Sequence, residues 1–186
     1  GLGDVYKRQD QGPYFSVQNV ITTAILIILN AVLIAIHTGL ISLNIEKLKE
    51  LEEEGDSKAK SLLKIISDQD RLNQSFEMID LFLTLLIVTF FVRRIRIAVS
   101  DATIFGQNFS TNTYIFLSLI LFVIIKIIFI DKIPKRIGVR NPMDLAMNTI
   151  FVSRIILAIT NPFVKFTRFI TNLFMKIFGI EAKGIE

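Results

Sequence analysis

Long apolar runs alternate with charged segments along this chain. The first run, residues 17–43, contains no Asp, Glu, Lys or Arg. A helix of about 20 apolar residues, rising about 1.5 Å per residue, is long enough to cross the hydrocarbon core of a bilayer. The second run reaches that length only if Glu77 and Asp80 enter the membrane with it. The pattern predicts an all-α membrane protein with three transmembrane helices, at about 17–43, 74–92 and 112–133.

A polar segment separates the first two runs. Residues 45–71 place apolar side chains at helical spacing on both sides of Gly55. Glycine suits the C-terminal end of a helix, and Asp56 or Ser57 suits the N-cap of the next one. We therefore expect a cytoplasmic helical hairpin over 45–71.

Two Asn-Pro pairs follow the third run, at Asn141–Pro142 and Asn161–Pro162. Proline is favoured in the first turn of a helix, so each pair predicts a helix start. In the second segment, apolar and basic residues occupy separate faces, which indicates a helix that lies in the membrane interface; for the first we favour an interfacial or partly inserted helix. We expect juxtamembrane helices over 142–160 and 162–178. A fourth span over 143–160 is the alternative, but polar and charged residues interrupt it, so the interfacial interpretation is favoured.

The composition agrees with a membrane protein and excludes several other classes. Of the 186 residues 52% are hydrophobic, and the mean hydropathy is +0.55. With no cysteine and one histidine, disulfide frameworks and thiolate sites are excluded, and no convincing nucleophile accompanies the histidine, so we expect no enzyme. The basic residues lie beside apolar runs, which indicates lipid headgroups and not nucleic acid as their neighbours.

The residues before the first run, and its length, bear on whether it is a signal peptide or a span. No basic region precedes the run, and it is longer than the apolar core of a usual signal peptide, so we interpret it as a span. The opening "GLGDVYKRQ" does not match the rhythm that follows and resembles translated adapter sequence. We expect residues 1–10 to be a non-native or disordered tail and 11–186 to form the membrane domain.

The distribution of basic residues predicts an orientation. Six Lys and Arg residues lie in 44–74 and nine lie after Ile130, where the third apolar run ends, whereas three lie in 93–113. Cytoplasmic loops carry the excess of positive charge in membrane proteins. The N-terminus is therefore expected outside, with the hairpin and the C-terminus in the cytoplasm and the loop at about 93–113 outside.

Each predicted span carries an ionisable residue near its cytoplasmic end: His37 in the first, Asp80 with Glu77 one turn earlier in the second, and Asp131 in the third. A charge at the bilayer centre costs about 2.5–3.5 kcal/mol on insertion scales, so three at a similar depth require an explanation. One hypothesis is a small polar cavity in which these side chains bind a hard cation such as Mg²⁺, which prefers oxygen ligands. The alternative is purely structural pairing, of Asp131 with Lys132 or Lys135 and of Asp80 with His37.

Two stretches of the sequence resemble one family. "IHTGLISLNIEKLKELEEEGDSKAKSLLKIISDQDRL" is similar to the join between the first span and the hairpin, with Gly55 inside it, in the CNNM/CorC membrane proteins. "IDKIPKRIGVRNPMDLA" resembles the end of that family's third span, in which Pro134, Lys135, Asn141 and Pro142 agree with the pattern. With "FGI" at 178–180, the resemblance covers the chain from about residue 17 to the C-terminus.

The resemblance implies a homodimer of three-span subunits in a bacterial inner membrane. It implies Mg²⁺ as a transported ion, usually exported in exchange for Na⁺ entry, with none bound as a cofactor. Family members normally continue into cytoplasmic CBS modules that bind adenine nucleotide, and these 186 residues contain none. A fragment of a longer protein and a stand-alone membrane domain are both consistent with this sequence.

The resemblance is imperfect where the ion is expected to bind. The family's first-span serine is replaced by Ile34 or Ile36, and its glutamate by His37. The Gly-Asn pair of the second span becomes Ile79–Asp80, and the Gly-Glu pair of the third becomes Ile130–Asp131. Because isoleucine offers no side-chain oxygen and fills space beside an ion, the alternative function is a non-transporting membrane scaffold or regulatory partner subunit.

Overall fold

The computed structural model describes residues 13–99 and 111–179, and all the regular structure in these ranges is helical. The predicted tail at 1–10 and most of the predicted loop between the second and third spans lie outside the described residues. The helices are α1 (Pro13–Ile41), α2 (Ile45–Glu53), α3 (Ser57–Ile66), α4 (Gln69–Val99), α5 (Thr111–Ile125), a π-helical segment (Lys126–Lys132), α6 (Ile133–Arg140), α7 (Pro142–Asn148) and α8 (Ile150–Ile177).

The chain divides into two compact units. Among the described residues, the first unit comprises 13–35, 80–99 and 111–140, and the second comprises 36–79 and 141–179. The long helices α1 and α4 each contribute one part to each unit.

The first unit has a small apolar core drawn from α1, α4, α5 and the π-helical segment. Its buried members are Ile34, Ile87, Phe122 and Ile130. The rings of Phe91 and Phe122 lie 5.6 Å apart, centroid to centroid, in a tilted arrangement. Most other large apolar side chains of these helices are exposed, as expected for surfaces that face lipid.

Four helical stretches are long and apolar enough to cross a membrane: Val20–Ile41, Gln69–Ile95, Asn112–Arg140 and Ile150–Ile177. The first three overlap the three predicted spans. The third stretch continues beyond the predicted end at residue 133, because α5, the π-helical segment and α6 follow one another without a break. The fourth lies where we predicted interfacial helices, so length and composition do not confirm a count of three.

The region after the third span differs from the prediction at Pro162. The first Asn-Pro pair does start a helix, because α7 begins at Pro142. The predicted break at 161–162 is wrong, since α8 runs through Pro162 without interruption. Proline removes one backbone donor, and such losses are tolerated where nearby hydroxyl groups and packing re-satisfy the backbone. Thr160, buried two residues before the proline, donates from its hydroxyl to the carbonyl of Ile156 at 2.7 Å, which is not the carbonyl that Pro162 leaves without an amide donor.

The turn between α2 and α3 matches the prediction for Gly55. Gly55 has a φ of +94°, and the amide of Asp56 donates to the carbonyl of Leu51 at 2.9 Å while that of Gly55 donates to Glu52 at 3.0 Å. This pair of bonds is a Schellman motif, which satisfies carbonyls at the end of α2. Asp56 then caps α3 by accepting from the amides of Lys58 and Ala59.

Polar contacts connect α8 to α3 and to the start of α4 within the second unit. Arg168 pairs with Asp70 at 2.7 Å and with Asp68 at 3.3 Å. Nearer the start of α8, Arg154 donates to the hydroxyl of Ser61 at 2.7 Å. Helix α3 also packs against α7 and α8.

The geometry at Gly55 predicts the effect of a substitution there. Gly55→Ala should lower the free energy of unfolding by about 1–2 kcal/mol, because a left-handed backbone brings Cβ too close to the following carbonyl. An added Cβ would meet nothing within 4 Å, so the loss would report on the backbone angle and not on crowding. Thermal unfolding in detergent measures it. Gly55→Asn is the control and should cost less, since asparagine tolerates this conformation; equal stability of the alanine variant and the parent would contradict the assignment.

Candidate functional site

Two of the three predicted site residues meet in the first unit, on either side of a lysine. Asp80 lies on α4, whereas Lys126 and Asp131 lie on the π-helical segment. The Lys126 Nζ is 3.2 and 3.4 Å from the two carboxylate oxygens of Asp80 and 3.3 Å from Oδ1 of Asp131. We call these three residues the lysine–carboxylate cluster.

The π-helical geometry explains how Lys126 and Asp131 come together. Residues five apart in an α-helix point about 140° away from each other, because each residue advances about 100°. A π-helix closes i→i+5 hydrogen bonds and so contains more residues per turn. Such a bond is present here, from the amide of Ile133 to the carbonyl of Ile128. The wider turn places Lys126 and Asp131 on one face, where their side chains pair.

The cluster is partly buried beside apolar side chains. The exposed fractions of the Lys126, Asp80 and Asp131 side chains are 18%, 28% and 30%. Ile130, the neighbour of Asp131 in the chain, is fully buried in the apolar core of the unit. Opposite charges about 4 Å apart attract by about 4 kcal/mol at an effective dielectric constant of about 20, and charges left unpaired in such surroundings are strongly destabilising. The three charges therefore stabilise one another.

Polar contacts extend from Asp80 to α1. The Thr84 hydroxyl donates to Asp80 Oδ1 at 3.5 Å, and the Asn30 amide nitrogen donates to the Thr84 hydroxyl at 3.4 Å. Asn30 is fully buried, and its amide oxygen has no hydrogen-bond partner. Buried polar atoms are nearly always satisfied, so this orphaned oxygen, on an amide that connects through Thr84 to Asp80, is a donor atom that a cation or water could use.

His37, the third predicted site residue, belongs to the second unit and has partners there. Its Nε2 lies 2.9 Å from Oδ1 of Asn73, and its ring stacks on Phe76 with centroids 4.9 Å apart. Asn44, which follows His37 at the same seven-residue interval that separates His37 from Asn30, caps α2 by accepting from the amide of Lys47. The three residues of this heptad pattern therefore have three different roles.

In the structure, Asp131 and Asp80 have a different partner from those in the structural pairing that the sequence suggested. Asp131 pairs with Lys126 and not with Lys132 or Lys135, and Asp80 pairs with Lys126 and not with His37. Lys126 was not among the partners that the sequence suggested for either carboxylate. The sequence did not predict the pair with Asp131, because residues five apart lie on nearly opposite faces of an ordinary α-helix.

The described residues contain no group of three or more His, Cys, Asp and Glu side chains that could hold a metal ion. The oxygen donors near Lys126 are instead two carboxylates, one hydroxyl and one amide oxygen. Oxygen donors of this kind suit hard cations. Chemically, the arrangement can hold one positive centre between two carboxylates, and the Lys126 ammonium provides that centre here.

The hydrogen bonds that connect Asn30, Thr84 and Asp80 can be tested at Thr84. Thr84→Val should lower the free energy of unfolding by about 1–3 kcal/mol, because it leaves the buried Asn30 amide unpaired and takes a donor from Asp80. Thr89→Val on the same helix is the matched control, since the Thr89 hydroxyl is exposed and bonds only to the Leu85 carbonyl of its own helix. Unfolding curves of both variants in detergent give the comparison, and equal losses would contradict a network that stabilises the first unit.

The comparisons with known proteins identify the family. A search of curated proteins finds no match to this chain. The family described as the cyclin M transmembrane N-terminal domain, CNNM, matches residues 21–186, which is most of the sequence and includes the entire lysine–carboxylate cluster. The match agrees with the resemblance seen in the hairpin and in the third span, and it associates the chain with metal transport across membranes. The chain is a multi-pass membrane protein that belongs to the CNNM transmembrane domain family.

Proposed function

We propose that this chain is a Mg²⁺ transporter-like membrane domain in which Asp80 and Asp131 bind the ion. The observation that carries the proposal is the position of these two carboxylates, which come from different helices and lie within 3.3 Å of one cationic atom, Lys126 Nζ. Two carboxylates that reach one ammonium converge on a single positive centre, where a divalent ion that keeps part of its water shell could be bound directly or through its waters. Membership in the CNNM family supports the same class of function.

The chemistry of the site favours Mg²⁺ over softer metals. Mg²⁺ prefers oxygen ligands, is commonly bound by one or two carboxylates, and keeps several of its waters. The Thr84 hydroxyl and the unpartnered Asn30 amide oxygen could bind those waters. His37, a softer ligand, is occupied by Asn73 and Phe76, so we propose no direct role for it in binding the ion.

The remaining features of the proposal come from the family resemblance. We propose a homodimer in a bacterial inner membrane that exports Mg²⁺ in exchange for Na⁺, with membrane lipid around its apolar helices. If the chain is part of a longer protein, CBS modules that bind adenine nucleotide would follow it. The N-terminus is proposed to lie outside and the C-terminus in the cytoplasm, as the distribution of basic residues favours.

A second candidate is a non-transporting scaffold or regulatory partner. The specific observation in its favour is that Lys126 already provides the positive charge between the carboxylates. Ile34 and Ile130, which stand where the resemblance implies a serine and a glycine, are buried in the apolar core and supply no oxygen ligand. A protein of this kind would keep the fold without moving the ion.

We further propose that α8 lies in the membrane interface and does not cross the bilayer. Its polar contacts with α3 and the start of α4 begin at Arg154 and extend to Arg168, through much of its length. A helix that crossed the bilayer would have to bring the polar partners Ser61 and Asp70 into the hydrocarbon with these arginines, at a high cost.

The proposed ion site is tested by flux. Asp80→Asn with Asp131→Asn should abolish Mg²⁺ flux into or out of proteoliposomes, because both anionic ligands are lost while the shapes of the side chains are kept. A fluorescent Mg²⁺ indicator inside the vesicles measures the flux. Asp144→Asn, an exposed acidic residue on α7, is the matched control and should transport as the parent does.

Two outcomes of this flux experiment bear on the proposal. Transport by the double variant at the parent's rate would overturn the assignment of Asp80 and Asp131. No transport by the parent itself, in vesicles where the protein is folded and correctly inserted, would favour the scaffold function. Because the double variant leaves Lys126 without its partners, a triple variant that also carries Lys126→Met should be measured beside it.

The interfacial position of α8 predicts a labelling pattern. The chain has no cysteine, so single cysteines can be introduced at Asn148, Lys176 and, as a reference in the hairpin, Glu53. A thiol reagent that cannot cross membranes should label all three from the same side of sealed vesicles. Opposite sidedness of Asn148→Cys and Lys176→Cys would show instead that α8 crosses the bilayer.

A further inference from the structure

The lysine–carboxylate cluster contains a charge that the proposed transport function does not use. Each carboxylate of the cluster makes its ion pair with the same ammonium, Lys126 Nζ. A hard divalent cation would require the same carboxylate oxygens. Lys126 therefore stands in the place where an ion would have to bind.

We propose that Lys126 is a tethered counter-ion that competes with a divalent cation for Asp80 and Asp131 and thereby sets the affinity of the site. This inference rests on the proposed function, because it concerns the same two carboxylates. It differs from that function in assigning a role to a basic residue, and in predicting that the site of the parent protein is weaker than its ligands would allow.

The Lys126 ammonium is held in place by contacts with both carboxylates. Lys126 Nζ lies within 3.4 Å of three carboxylate oxygens on two elements, and its side chain is only 18% exposed. The π-helical turn places Asp131 beside the lysine from the same segment, while Asp80 approaches from α4. An ammonium with three oxygen acceptors has all of its donors matched.

The charges explain why the lysine can be displaced. Two carboxylates and one ammonium leave one net negative charge in the cluster, so the cluster still attracts a cation. A divalent ion between the carboxylates would neutralise both, and like-charge repulsion would then drive the ammonium away. The lysine stem is flexible and strongly hydrated at its tip, so the ammonium can move toward water.

A further observation is an oxygen without a hydrogen-bond partner on a residue connected to Asp80. The Asn30 amide oxygen is buried without a partner, on the amide whose nitrogen reaches Thr84 and, through its hydroxyl, Asp80. An ammonium cannot satisfy this oxygen while it remains on the carboxylates. A hydrated divalent ion would bring water molecules, and one of these could donate to it.

The test measures Mg²⁺ binding by the purified protein in detergent with isothermal titration calorimetry. Lys126→Met should bind Mg²⁺ at least about tenfold more tightly than the parent, because a positive charge a few ångströms from the ion is removed. Adding Asp80→Asn to this variant should remove the gain. No gain in affinity, or a loss, would overturn the proposal.

Two matched variants control for the removal of positive charge in general. Lys132→Met removes the same charge from an exposed position of the same π-helical segment, and its affinity should stay within about twofold of the parent. Lys126→Arg keeps the charge and should not bind more tightly than the parent. A gain for Lys132→Met equal to that for Lys126→Met would show that the effect is not specific to the cluster, and would also overturn the proposal.

A second measurement covers the case in which Lys126→Met is unstable without the ion. Excess Mg²⁺ should raise the Tm of Lys126→Met by more than it raises the Tm of the parent, because a ligand that binds more tightly stabilises the folded state more. Na⁺ at the same ionic strength should not produce this difference. If Mg²⁺ raised the two Tm values equally, the competition would be refuted.

The failure of this inference can be told apart from failure of transport. If the parent carries Mg²⁺ in proteoliposomes and Lys126→Met shows no gain in affinity, transport stands and the role of Lys126 falls. If the parent carries no Mg²⁺ but Lys126→Met binds it tightly, transport by this chain falls and the role of Lys126 stands.

Discussion

Two carboxylates in apolar helices require a positive charge beside them, and the first unit of this protein is arranged around that requirement. Asp80 and Asp131 come from α4 and from the π-helical segment, and both reach Lys126. The π-helical turn is what allows the lysine and Asp131 to share a face. Removing the ammonium would leave both carboxylates unpaired in partly buried surroundings, whereas removing one carboxylate would leave Lys126 with the other.

The second unit is held together by a different balance of forces. Its hairpin depends on backbone capping, with Gly55 in the left-handed conformation and Asp56 at the start of α3. Within this unit, α8 packs against α3, and its arginines make partly exposed polar contacts that each contribute little stability on their own. The arginines orient α8 and the buried apolar side chains supply most of the stabilisation.

Family membership supports a general class of function, whereas the residues of the site bear on how an ion would be bound. The family match covers residues 21–186 and supports a membrane domain associated with metal transport. The site departs from the pattern that the resemblance implies, with isoleucine at small or polar positions and a lysine between the two acids. The proposed competition by Lys126 is consistent with both, because it keeps the anionic pair and lowers its affinity for ions by a charge from the protein itself.

The sequence alone determined much of this protein, and the physical reason is that the signals involved are local. Apolar runs, the Gly55–Asp56 turn and the proline at Pro142 act within one helix or one turn, so span positions and helix starts could be predicted. The tertiary structure alone decided that Lys126 faces Asp80, that His37 pairs with Asn73, and that α8 continues through Pro162. These outcomes depend on side chains distant in sequence and on a π-helical turn that changes which residues share a face, and residue spacing in an ordinary helix gives no sign of either.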